Sequence, residues 1–236
     1  MSSAPKPRVL FVLTSHSVLG ATGKPTGWYL PEFAHPFHEL HEVADIIVAS
    51  PVGGEAPLDP GSVESWKQDE VSVQFLDNQS SLWKNTRKLE SFLGKAKDFA
   101  AIFYVGGHGP MFDLATDATS IQLIREFFEG GKVVAAVCHG PAALVNVKLS
   151  DGSYLVADAE VTGFSNAEED AVGLSQFMPF MLETELDKHS NGKYRKADKP
   201  WAECVVVARG GRLITGQNPL SATATGKVIA NAITKT

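Results

Sequence analysis

Four uninterrupted apolar runs constrain this chain more than any other feature. They are residues 8–14 (Arg-Val-Leu-Phe-Val-Leu-Thr), 43–50 (Val-Ala-Asp-Ile-Ile-Val-Ala-Ser), 100–105 (Ala-Ala-Ile-Phe-Tyr-Val) and 132–137 (Lys-Val-Val-Ala-Ala-Val). Apolar and polar residues do not alternate in them, as they would in a strand with one wet face. Such runs read as strands buried on both faces, the pattern of a parallel sheet covered by helices. Helical spacing falls between them. Residues 28–42 place Tyr29, Phe33, Phe37 and Leu40 on a common side. Residues 117–129 place Ile121, Ile124 and Phe128 on one face, with Leu123 and Phe127 beside them, and end at Gly130-Gly131. Residues 203–208 and 212–215 flank Gly210-Gly211, a hairpin signal, and residues 220–233 form a closing helix. The fold class expected is α/β, a mostly parallel sheet sandwiched between helices, with a small added cap region.

Other stretches are less regular. Residues 51–61, with three prolines and three glycines, predict a loop. Residues 64–78 show little periodicity beyond alternation at Val71, Val73 and Phe75. Residues 83–93 read as helix from Leu89, Phe92 and Leu93, and residues 154–156 and 161–164 as short strands. Residues 167–186 are broadly helical with a break near Pro179, and residues 189–201 form a polar, Lys-rich loop.

A chain of 236 residues, 44% hydrophobic, suits one domain, residues 1–236, with an ordered core over about residues 8–233. The net charge of -6 and the lack of a basic run argue against nucleic acid and anionic membrane as partners. Two cysteines, Cys138 and Cys204, fit a reducing compartment rather than a disulfide framework. Residues 1–8 lack the form of a signal peptide, and no apolar run approaches the roughly 20 residues of a membrane span. The expectation is a soluble cytoplasmic protein, with the nucleus as a further location.

The run ending at Val137 breaks abruptly at Cys138-His139-Gly140-Pro141, and helix formers resume at Ala142. A strand turning sharply into a helix, with a nucleophile at the break, is the nucleophile-elbow arrangement. Gly140 permits close backbone approach, and Pro141 suits a first helical turn. Cys138 at the positive end of that helix would favour thiolate. The plainer reading is a small buried hydrophobe at a strand end. In an open α/β sheet the site lies beyond the carboxyl ends of the strands. There the loops after Thr14, Val105 and Val137 meet, with the segment after Phe164 as a fourth candidate. Gly106-Gly107-His108-Gly109 could aim N–H groups at a carbonyl under attack, together with the N–H of His139, or be only a tight turn.

Two sets of acids bear on proton transfer. Glu32 lies among Leu30, Pro31, Phe33 and Ala34. Buried, it would have a raised pKa and exchange protons near neutral pH. Residue type alone favours a solvent-facing acid. Glu168, Glu169 and Asp170 follow Thr162-Gly163-Phe164-Ser165-Asn166. One of them could orient His139, or all three could form a solvated helix start. His35, His38 and His41 are spaced by three and drift around a helix, so no metal site is expected. Gly106–Gly109 lacks dinucleotide and phosphate-loop spacing. Cys204, within Glu-Cys-Val-Val-Val, reads as a structural thiol, and the four tryptophans as packing residues or pocket walls.

The string Ala135-Ala136-Val137-Cys138-His139-Gly140-Pro141-Ala142 resembles the elbow of the ThiJ/PfpI superfamily. Thr26-Gly27 leading to Glu32, His35-Pro36-Phe37, Gly107-His108-Gly109, Val161-Thr162-Gly163-Phe164 leading to Glu169, and Leu213–Pro219 resemble its branch of glutathione-independent glyoxalases, the glyoxalase III type, over about residues 8–233. The resemblance implies a flavodoxin-like sandwich, often dimeric, with Cys138 as nucleophile, His139 as its partner, Glu169 as orienting acid and Glu32 as the acid on the thiol. The spacing selects Glu169 but leaves Glu168 and Asp170 open. Gly107 and His139 would supply oxyanion N–H groups, with Gly106 and His108 lining the substrate site. The implied reaction converts methylglyoxal, or the related dicarbonyl glyoxal, to a hydroxy acid, D-lactate from methylglyoxal. It needs no nicotinamide, flavin, metal or glutathione and protects against carbonyl stress. Rival readings are a cysteine peptidase or amidase, a stress chaperone with a redox-sensing thiol, and, within this branch, repair of early glycation adducts. A class I glutamine amidotransferase would want a downstream His-x-Glu that the chain lacks.

Overall fold

A computed structural model describes residues 5–234. Among them, seven strands form one sheet: β1 (Arg8–Val12), β2 (Asp45–Ser50), β3 (Arg87–Lys88), β4 (Ala101–Tyr104), β5 (Val133–Val137), β6 (Val205–Ala208) and β7 (Leu213–Gly216). Their spatial order is β3-β2-β1-β4-β5-β7-β6, all parallel except the β6–β7 pair. The four apolar runs are thus four of the five interior strands, and the hairpin around Gly210-Gly211 closes one side of the sheet with β6 at the edge. The interior is continuous, with Phe11, Phe33, Trp28, Phe103 and Phe127 fully buried.

Eight α-helices accompany the sheet among the described residues: α1 (Leu30–Leu40), α2 (Pro60–Ser65), α3 (Glu70–Asn78), α4 (Ser80–Lys84), α5 (Ala118–Glu129), α6 (Asn166–Val172), α7 (Leu182–His189) and α8 (Ala222–Thr234). The crossover from β1 to β2 runs one way along the sheet and that from β4 to β5 runs the other. Right-handed crossovers therefore place α1 and α5 on opposite faces. Adjacent β1 and β4 form the switch point where such folds open a crevice.

Several local expectations are corrected. Residues 70–78, where the sequence shows little periodicity, form a helix: the Asp69 side chain caps it through Ser72 N at 2.8 Å, and Ser72 and Phe75 are its buried residues. The loop predicted over 51–61 ends early, since Asp59 caps α2 at Pro60. Residues 83–93 are not one helix: α4 stops at Lys84, Arg87–Lys88 pair with β2 as an edge strand, and Leu89–Phe92 make a 3-10 turn. Residues 154–156 and 161–164 make only isolated bridges, Tyr154 to Lys148 and Val161 to Tyr194. The helix expected after the elbow is a five-residue 3-10 turn, Gly140–Leu144. No helix among the described residues is long and apolar enough to cross a membrane.

Candidate active site

Strand β5 ends at Val137, and the next residue, Cys138, has a φ of 59°. This left-handed conformation is costly for a side-chain-bearing residue and persists only where the surroundings impose it. They do so here from both sides: Cys138 N donates to Gly216 O at 2.9 Å, and Phe164 N donates to Cys138 O at 2.8 Å. The turn then passes so close to β4 that a Cβ at Gly140 would lie 2.4 Å from the Tyr104 carbonyl oxygen. The sulfur is thereby fixed above the carboxyl end of the sheet, only 3% exposed.

His139 folds back beside it. Its Nδ1 lies 3.4 Å from Cys138 Sγ, and its Nε2 lies 2.6 Å from Glu169 Oε2. A carboxylate there makes Nε2 the protonated nitrogen, leaving the Nδ1 lone pair toward the thiol. Glu169 Oε1 accepts from His108 Nε2 at 3.0 Å, and the two imidazole centroids are 4.2 Å apart. Despite the cost of burial, charge attraction and hydrogen bonds from His139 and His108 hold the Glu169 carboxyl far below its ordinary range. Burial and neighbouring His108 depress the His139 pKa, against the pull of Glu169.

The three neighbouring acids are now distinguished. Glu169 faces the imidazoles. Glu168 turns the other way, completing a capping box with Ser165 at the start of α6. Asp170 bonds the exposed Ser175 hydroxyl.

Glu32, in the first turn of α1, is not solvent-facing: it is 0% exposed. Its oxygens face the Cys138 thiol and the Gly106 and Gly107 amides, but neither forms a side-chain hydrogen bond of good geometry. Burial pushes this carboxyl well up, so it keeps its proton near neutrality. Burial and the facing Glu32 push the Cys138 thiol up too. The short 3-10 turn after it offers too few aligned peptides for a macrodipole, which corrects the expectation of a helix-stabilised thiolate. Ionisation of the sulfur therefore requires Glu32 to remain protonated and a base to receive the thiol proton.

Gly106 is required by this packing. A Cβ there would lie 2.2 Å from Glu32 Oε2 and 2.5 Å from Val137 O. The Gly107 N–H faces the thiol, and His108, expected only to line the substrate site, also spends one nitrogen on Glu169. Composition gave no sign of that pairing. His108, His139 and Glu169 also form a cluster that could hold a metal ion, each offering one ligand atom within 4.8 Å of the others. Both Glu169 oxygens are already engaged by imidazoles at hydrogen-bond distance.

A cavity of about 60 Å³ opens onto the sulfur. Tyr29, Glu32, Gly107 and His108 line it, with Phe164, Val172, Trp201 and Pro219 as its apolar wall. Of the wall residues, Phe164, Trp201 and Pro219 lie in stretches the sequence had marked, and Val172 does not. A larger groove, about 600 Å³, lies at the amino ends of β5 and β7 beside Lys132 and Arg212, and no acid, histidine or thiol lines it. The small cavity is the one that holds the Cys138 thiol.

Residues 85–232 match the model of the DJ-1/PfpI family. The chain belongs to that family. It is 30% identical over 224 residues to a protein of Schizosaccharomyces pombe named glutathione-independent glyoxalase hsp3102, covering 89% of this chain and 90% of the relative. It is 28% identical over 235 residues to glyoxalase 3 of Candida albicans, covering 95% and 98%. Among solved structures, glyoxalase III of Candida albicans superposes with a TM-score of 0.84 at 28% identity, covering 96% of this chain and 97% of that one. The rapid encystment protein of 24 kDa from Francisella tularensis superposes with a TM-score of 0.88 at 38% identity, covering 96% and 99%.

Proposed function

We propose that this protein is a glutathione-independent glyoxalase that isomerises and hydrates methylglyoxal to D-lactate. The observation that carries the reading is the pairing of a fully buried Glu32, whose carboxyl burial pushes well up, with Cys138 beside a cavity of about 60 Å³. So small an opening onto the sulfur suits a very small electrophile better than an extended polypeptide, which disfavours the peptidase reading. An acid held neutral against the nucleophile adds a proton carrier that acyl transfer does not need. The names of the glyoxalase relatives point the same way.

In the proposed mechanism His139 Nδ1 takes the thiol proton, and the resulting imidazolium is stabilised by Glu169. The sulfur adds to the aldehyde carbon, and the carbonyl oxygen takes a proton to complete a hemithioacetal. His139, neutral again after protonating that oxygen, takes the hydrogen on the same carbon as a proton while Glu32 protonates the ketone oxygen, giving an enediol. His139 then returns its proton to the former ketone carbon, and Glu32 regains its own from the hydroxyl on the sulfur-bearing carbon. The product is a lactoyl thioester on Cys138, which water cleaves to lactate, restoring the thiol. The aldehyde carbon is oxidised and the ketone carbon reduced within one molecule, so the electrons balance without an external oxidant.

The test is a glutathione-free assay of methylglyoxal loss with stereospecific detection of D-lactate, run beside Cys138→Ala. D-lactate from the wild type and none from the variant is expected. Equal turnover in both would end the proposal.

A further inference from the structure

Two features of the site play no part in that chemistry. Glu168 is fully buried yet does not touch the sulfur or either imidazole. Trp201 is 37% exposed and has a φ of 65°, a backbone state that non-glycine residues hold only under constraint.

They are connected. Glu168 Oε1 accepts from Trp201 N at 2.9 Å and from Asn218 Nδ2 at 2.8 Å. Its Oε2 accepts from Ser165 N at 2.9 Å, Ser165 Oγ at 2.7 Å and Gln217 Nε2 at 3.0 Å. Burial alone would raise this carboxyl, but these donors hold it below its ordinary value, so it stays charged and fully bonded. The same neighbours grip the rest of the segment. Asn218 Nδ2 donates to Ala202 O at 2.8 Å, and Gln217 Oε1 accepts from Ala197 N at 2.8 Å. Residues 197–202 are therefore pinned at three points across the mouth of the cavity. The indole of Trp201 meets Phe164 edge-on at 5.5 Å and, with Val172 and Pro219, makes the apolar part of a lining that also holds Glu32 and Gly107.

We infer that Trp201 is the specificity-determining wall of this site, setting the largest electrophile that reaches Cys138, and that Glu168 is the positioning residue that holds it there. The substrate class follows: unbranched two- and three-carbon aldehydes bearing an adjacent carbonyl enter, and the same group carrying an aryl substituent is turned away by the indole. The inference rests on the reading of this cavity as the place of carbonyl turnover, so its test includes a measurement that needs no turnover.

Alkylation of Cys138 by iodoacetamide and by N-phenylmaleimide is followed by peptide mass spectrometry, which separates Cys138 from Cys204. In parallel, kcat/KM is measured for methylglyoxal and phenylglyoxal. Trp201→Ala should raise both bulky-to-small ratios by about tenfold or more, the scale on which one apolar wall group discriminates. Trp201→Leu should raise them less, and it stands in should the alanine variant not fold. Glu168→Ala should move the ratios as Trp201→Ala does. Glu168→Gln, which keeps an acceptor for the Trp201 N–H, should restore them toward wild type. Unchanged ratios in folded Trp201 variants would overturn the wall. A Glu168→Ala variant that loses stability without moving the ratios would overturn the positioning role. Should the wild type turn over neither dicarbonyl while the alkylation ratio still shifts, the wall stands and the glyoxalase reading fails.

Discussion

Glu169 Oε2 lies 2.6 Å from His139 Nε2, and that contact fixes which imidazole nitrogen faces the sulfur. Glu169→Gln keeps the shape but removes the charge that stabilises the imidazolium. Turnover should fall roughly a hundred- to ten-thousand-fold, the range of general acid–base contributions. The pH profile should move as well. Glu169 raises the His139 pKa against burial and His108. Without it that pKa drops, so the acid limb of kcat/KM should shift to lower pH. A variant with wild-type rate and an unmoved acid limb would remove Glu169 from the relay.

Glu32 couples function to stability in the opposite sense from a paired acid. Its folded pKa is raised by burial, while in the unfolded chain it titrates near ~4.3. Between those values the folded state binds the extra proton, so stability falls as pH rises through the window. Glu32→Gln removes that dependence. The variant should melt higher than wild type at pH 7–8, the gap should close below about pH 4, and turnover should collapse. Thermal denaturation across that pH range, with equal melting points at pH 8, would contradict the buried neutral acid.

Gly106→Ala tests how tightly the two sides of the crevice meet. The new methyl would meet Glu32 Oε2 at 2.2 Å, Val137 O at 2.5 Å and Cys138 Cβ at 2.8 Å. Two of these three atoms are fixed by β5 and the elbow. Overpacking of this kind typically costs about 1–3 kcal/mol and forces Glu32 aside. The expected result is a lower urea midpoint together with lost turnover. Wild-type values of both would mean that the crevice opens more readily than this packing allows.

The central strands were legible because residues buried on both faces leave no room for polar alternation. The elbow was legible because Gly140 and Pro141 are what a sharp strand exit demands. What depended on distant partners was not. Arg87–Lys88 become an edge strand only because β2 lies beside them, and charged side chains are common on such edges. The choice of Glu169 over Glu168 rested on the spacing from Phe164 that the resemblance supplied: neighbouring helical residues point about 100° apart, and nothing else local says which direction holds His139. The burial of Glu32 was hidden too, since its apolar neighbours fit a surface helix as well. Residue type left it a candidate, and the resemblance gave it a role on the thiol. Val71, Val73 and Phe75 alternated by chance, while Asp69, the cap that starts α3, sat unread just ahead of them.

Asp69 also explains one of the three closely spaced histidines. Its Oδ2 accepts from Ser72 N at 2.8 Å and lies 2.9 Å from His35 Nε2, while His35 Nδ1 lies 2.6 Å from Thr223 Oγ1. One carboxylate thus caps α3 and, through His35, ties α1 to α8. His41 is stacked on Phe37 instead, so the row of histidines is not one ligand set. Hydrogen bonds from Ser72 and contact with His35 lower the Asp69 pKa despite partial burial. Its contribution is therefore complete above the unfolded value near ~3.9 and lost as pH falls through the lower folded value. Asp69→Ala should cost about 1 kcal/mol from the lost cap, with the half-open ion pair adding little. Asp69→Asn, an equally good cap, should recover most of that. Urea unfolding at pH 7 reads both. Because Asp69 touches neither the sulfur nor the cavity, turnover at 25 °C should stay near wild type in each. A large loss of rate with an unchanged urea midpoint would assign Asp69 to the chemistry rather than to the scaffold that carries Glu32.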